Sequence, residues 1–192
     1  MASIVNATLK QVKTYLKEIY GKHYKTSVQE VDDSLVIHHG SAAVTVFVRP
    51  LSKDDCLVTS QAYVVQGAKI GPKLLGRLMR LNATNPVGAF GMLFDDTIIF
   101  RHSISGANLD LNELRMSIRT VAFFADEYDD DILKLAGGYR AVDAQGLLGG
   151  DVPAARGTAP KKAAPKKAAP KKAVAKKVPA KTATRKAVPK KK

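Results

Sequence analysis

Leu111, Leu114, Ile118, Val121, Ala125, Tyr128, Ile132 and Leu135 recur at steps of three and four residues, which keeps one face of a helix apolar for about seven turns. A stripe this long needs a broad apolar surface, a sheet or a second helix, to lie on. Asp110, followed three residues later by Glu113, predicts its start as a capping box, and Gly137-Gly138 predicts its stop. Met116 and Phe123 fall roughly opposite the stripe, at about 100° per residue. Cover for them is expected from the first helix or the following linker. The alternative is an exposed patch for a partner protein or a second subunit.

Ahead of the stripe, Val5, Leu9, Val12, Leu16 and Ile19 predict an amphipathic helix that Asn6 or Thr8 would cap and Gly21 would stop. Four β-branched runs follow, TSVQEV, LVIHH, AAVTVFVRP and CLVTSQAYVV, separated by acidic and glycine turns. They predict an antiparallel meander. Gly71-Pro72 opens a second helix with Ile70, Leu74, Leu78 and Leu81 on one face, ended by Asn85-Pro86. VGAFGMLF and TIIFRHSI form a hairpin of long apolar strands turning on Asp95-Asp96. The expected fold class is therefore α+β, an antiparallel sheet with helices packed on it, over residues 1–138. Residues 139–158 are glycine-rich and aperiodic and are read as a flexible linker in which Leu147-Leu148 is a weak docking anchor.

Residues 159–192 repeat Ala-Pro-Lys-Lys-Ala three times and then degrade. From Asp151 onward there are 15 Lys and Arg against one Asp, while the first 150 residues carry 16 of each sign, so the whole formal charge of +14 belongs to the tail. Few large apolar side chains and frequent proline predict a disordered, locally extended segment that reaches on the order of 100 Å. Such asymmetry points to a polyanionic partner. The contacts expected are Lys161, Lys162, Lys166, Lys167, Lys171, Lys172, Lys176, Lys177, Lys181, Arg185, Lys186, Lys190, Lys191 and Lys192. Lysine lacks the planar fork that reads guanine, and no aromatics are interleaved, so binding would follow phosphates without sequence preference. The tail resembles those of linker histones and lysine-rich nucleoid proteins, which implies DNA, with RNA as the alternative polyanion and anionic lipid third, since no apolar or lipidated anchor stands beside the tail. A cytoplasmic, nucleoid-associated chain is the expectation, because no apolar run is long enough to span a bilayer.

Chemistry would need convergent polar groups. His38 and His39 are neighbours in one strand and point to opposite faces, and Cys56 is the single cysteine. GPKLLGRL at 71–78 has Arg77 and Leu78 where a phosphate-binding loop needs lysine and a hydroxyl. It is read as a helix start with a small residue at a close packing point. Asp126, Glu127, Asp129, Asp130 and Asp131 crowd one helix without opposed geometry and read as a solvated face. They oppose the helix dipole, which makes the basic tail an available counter-charge. No metal, cofactor or catalytic set is nominated, and the chain is read as a non-enzyme.

LLGRLMRLNATNPVGAFGMLFDDTIIFRHSIS at 74–105 and LDLNELRMSIRTVAFFADEYDDDI at 109–132, in this order of elements, resemble the bacterial YbjN family and the related type III secretion chaperones. Gly88, Phe90, Asp95 and Asp96 match the hairpin pattern. The resemblance implies helices covering one face of an antiparallel sheet, in a protein- or peptide-binding module, often homodimeric and without known catalysis. The basic tail departs from that pattern. Two functions are therefore expected: a nucleic-acid-associated protein with a histone-like tail, or a cytosolic peptide-binding chaperone whose tail serves solubility or autoregulation.

Overall fold

The structure, a computed structural model, describes residues 2–39, 42–141 and 143. The tail lysines, Leu147-Leu148 and most of the expected linker lie outside the described residues. Helix α1 (Ala2–Tyr20) leads through the single helical turn α2 (Tyr24–Ser27) into the strands β1 (Val28–Val31), β2 (Ser34–His39), β3 (Ala42–Pro50) and β4 (Cys56–Gln66). Helix α3 (Pro72–Thr84) precedes the hairpin β5 (Ala89–Met92) and β6 (Ile98–Ser105). Helix α4 (Leu111–Ala136) and the two-residue strand β7 (Tyr139–Arg140) close the order. The antiparallel sheet runs β1-β2-β3-β4-β6-β5, with β7 beside β4.

The α+β expectation holds, and the long stripe explains the layering. Leu114, Ile118, Val121, Ala125 and Ile132 are buried, and α4 lies across β3, β4 and β6 with α1 and α3 on its two flanks. Along β3, buried Ala42, Val44, Val46 and Val48 alternate with partly exposed Ala43, Thr45 and Phe47. Asp110 accepts from the Asn112 and Glu113 amides at 2.7 and 2.8 Å, as a helix N-cap should.

Several local expectations are corrected. α1 begins at Ala2, before the proposed caps, because Ile4 and Val5 also pack on the core. Thr8 is buried in mid-helix and takes a bond from the Cys56 thiol at 3.2 Å. A side chain at Gly76 would meet nothing within 4 Å, so it marks no close packing. β5 has only four residues, and Phe94 beyond it is fully exposed. Leu135, at the end of the stripe, is exposed, although Ile132 and Ala136 near it are buried.

Chain order continues past the expected boundary at 138. Gly138 lies against the Gln66 and Gly67 backbone, which lets Tyr139 and Arg140 pair with Gln66 and Val65. Arg140 thereby reaches Asp129 at 3.7 Å and bonds Asp130, while Arg77 reaches Asp131 at 3.3 Å. The acidic run thus has counter-charges inside the domain. Burial pushes the Asp129 carboxyl up, and Arg140 opposes that shift.

Candidate functional site

Register decides what each sheet face carries. Val44 lies opposite Ala62, Thr45 opposite Gln61 and Phe47 opposite Thr59, while Thr59 lies opposite Ser103 and Gln61 opposite Arg101. Successive side chains alternate faces. Val44, Val46, Ser60, Ala62, Phe100 and His102 therefore meet the helices, and Thr45, Phe47, Arg49, Leu57, Thr59, Gln61, Tyr63, Arg101 and Ser103 share the other side. Side-chain bonds agree with this division. Ser117 of α4 donates to Ser60 Oγ at 2.9 Å and meets His102 Nδ1 at 3.1 Å, whereas Thr59 and Ser103 bond each other at 2.9 Å across the outer face.

No described helix covers this outer face. Val31, Val36, Phe47, Leu57 and Tyr63 are partly exposed there, and Arg49 and Arg101 are exposed. The Arg49 guanidinium lies 5.3 Å from the Phe47 ring centroid, a cation–π distance. The strand residues of the face include no carboxylate, and neither arginine has a carboxylate partner among the described residues.

The sheet edge at β5 is less available. Asn82 of α3 clamps Phe90 of β5, donating to its carbonyl at 3.0 Å and accepting from its amide at 2.7 Å. That side chain satisfies edge groups a further strand would use. On β1, Glu30 is held by Lys13 at 2.7 Å and by the Tyr24 hydroxyl at 3.4 Å. Residues 82 and 90 are eight apart, a spacing with no helical or strand meaning, so the clamp was not legible in sequence.

The His102, Ser117 and Ser60 chain has the residue types of a nucleophile and base, but Ser117 is fully buried and no substrate can reach its oxygen. Its role is to fix α4 on the sheet. Burial holds the His102 pKa below its ordinary 6.5, and Glu113 partly offsets this. The unfolded chain then binds more protons than the folded one, so this histidine removes stability as pH falls through 6.5 toward the lowered value. His102→Gln is expected to flatten the stability–pH profile in that window, read by urea melts at pH 5 to 7.5. An unchanged slope would exclude His102 as its source.

Met116 and Phe123 remain 60% and 59% exposed, so α1 does not cover them. Leu75 and Met79 of α3, with Met92 and Phe94 at the β5–β6 hairpin, are also exposed. Leu75 and Met79 lie one turn apart, off the face of Leu74, Leu78 and Leu81, and this spacing was visible in sequence. Among the described residues no group of His, Cys, Asp or Glu could hold a metal ion, and no helix is long and apolar enough to cross a membrane.

One chain of the ExsC–ExsE complex is similar in structure, with 16% identity, a TM-score of 0.50, and coverage of 64% of this chain and 94% of that one. YbjN from E. coli is similar at 16% identity and a TM-score of 0.43, covering 64% and 92%. So is the Yersinia pestis type III secretion chaperone SycH in complex with a YscM2 fragment, at 12% identity and 0.42, covering 60% and 98%. No curated protein matches the sequence. The likeness to the ExsC–ExsE chain shows the fold, and residues 7–144 match one family along most of the chain. This protein belongs to the TY-Chap1 family, the peptide-binding chaperone 1 of type III secretion systems (YopN, CesT) and YbjN.

Proposed function

We propose that this chain is a non-enzymatic peptide-binding chaperone that holds an extended client segment on the outer face of its sheet. The observation that carries this is a sheet face that no described helix covers, with partly exposed Phe47, Leu57 and Tyr63 around buried Thr59 and Gln61, in a chain of a peptide-binding family. An extended segment buries alternate side chains against such a surface, and aromatic anchors supply most of the affinity. The test is an array of overlapping extended peptides probed with the full chain and with F47S/Y63S. The variant is expected to bind about tenfold or more weakly, with its circular dichroism unchanged. Equal binding would remove this face as the client site.

Self-association is proposed through Met116 and Phe123, two large apolar side chains two turns apart on the outside of α4. Light scattering of M116S/F123S is expected to show a smaller particle than the parent chain. An unchanged mass would exclude these two residues from any dimer interface.

A second reading concerns the tail, which lies outside the described residues. All the net charge of the chain lies beyond residue 150, and this favours electrostatic capture of a polyanion, DNA or RNA, by Lys161 through Lys192. A cytoplasmic, nucleoid-associated chaperone would combine the two activities.

A further inference from the structure

Arg49 and Arg101 stand exposed on the proposed client face, and neither has a carboxylate partner among the described residues. From their charge and position we infer that the client this chaperone prefers is an extended acidic segment, whose carboxylates pair with these two guanidiniums. The inference rests on the peptide-binding reading and adds the chemistry of the client. Arg49 lies opposite Leu57, and Arg101 lies opposite Gln61 on the far side of β4. The two are therefore about 10 Å apart across the strands and about 13 Å apart along them, a diagonal of about 16 Å. Acidic side chains on one face of an extended peptide, four or six positions apart, span about 13 or 20 Å. Both spacings lie within reach of flexible arginine side chains.

Between the two arginines the diagonal passes over Thr59, flanked by Phe47 and Ser103. The Arg49 contact with Phe47 limits the motion of its guanidinium, so less freedom is lost when a carboxylate arrives. Asp55, in the turn between β3 and β4, is already engaged. It accepts from Ser105 Oγ at 2.8 Å and from the Cys56 and Ala107 amides at 2.7 and 3.0 Å, and Glu30 is held by Lys13. The basic tail carries the wrong sign to occupy the face.

The experiment uses fluorescence anisotropy with three 12-residue peptides of alternating valine and threonine that differ at two positions four apart, filled by Glu, Gln or Lys. Each is titrated with the full chain and with R49E/R101E, with R49Q/R101Q as the second variant should charge reversal impair folding. The parent is expected to bind the Glu peptide at least tenfold more tightly than the Gln peptide, and the Lys peptide most weakly. R49E/R101E should reverse that order. Both variants keep the basic tail, so a Glu preference that survives R49E/R101E belongs to the tail and overturns the inference. Equal binding of all three peptides also overturns it, while leaving the peptide-binding reading intact. Failure of every peptide to bind would overturn both. A 15-nucleotide oligothymidine that displaces the Glu peptide from the parent and loses affinity in R49E/R101E would assign the face to single-stranded nucleic acid instead.

Discussion

Gly138→Ala is expected to lower stability by about 4 kcal/mol, and its neighbour Gly137→Ala by about 2 kcal/mol. Both glycines have positive φ, 67° at Gly137 and 92° at Gly138, and Gly137 combines it with a ψ of −158°, a conformation that essentially only glycine adopts, so both substitutions carry a backbone penalty. They differ in what the new methyl would meet. At Gly137 nothing lies within 4 Å, whereas at Gly138 a Cβ would lie 2.3 Å from the Gln66 carbonyl oxygen and 3.0 Å from the Gly67 carbonyl carbon. Those atoms are backbone and cannot swing aside. β7 would have to leave β4, taking Arg140 from Asp129 and Asp130. Urea melts of the two variants give the comparison, and equal costs would show that the close approach contributes nothing. The bond from the Lys69 amide to the Ala136 carbonyl, 2.9 Å, lies beside the same junction. Faster hydrogen exchange at Lys69 in Gly138→Ala, with Phe100 unchanged, would locate the damage.

That junction also shows where sequence reasoning ran out. Gly137-Gly138 was legible as a helix stop, because two glycines after a periodic stripe leave few alternatives. The same glycines suggested a linker, since a strand of two residues has no periodicity to detect. Missing β7 meant missing Arg140 as a partner of the acidic run, and the tail looked like the nearest source of positive charge. In the structure, Arg140 follows Asp130 by ten residues, and reversal at Gly137 and Gly138 brings the pair together.

The open face of the sheet was legible only in part. Alternation along AAVTVFVRP gave the two faces of β3, and the stripe on α4 required that one face be covered. Which residues then shared the open face depended on the registers of β3, β4 and β6. Arg49 and Arg101 are 52 positions apart in sequence and lie two strands apart only because β6 inserts beside β4 after α3. Met116 and Phe123, by contrast, follow from helical phase alone. Their exposure depended on where α1 lies, since α1 flanks α4 without crossing its outer side.

The other large effect concerns the tail. A chain ending at Gly150 has no net charge, so it is expected to lose sequence-neutral binding to duplex DNA while keeping its peptide affinity. Lysines that neutralise about eight phosphates release their counterions, which gives a slope of log affinity against log salt near −7. Between 50 and 200 mM salt the full chain would then lose on the order of 10⁴ in affinity. Gel shifts at several salt concentrations measure both quantities. Equal binding by the shortened chain would end the tail reading. A full-chain slope near −2 would mean that only about two phosphates are neutralised, as many as Arg49 and Arg101 together supply. R49E/R101E separates these cases, since it should leave a tail-driven slope near −7 unchanged and abolish a slope that the sheet face provides.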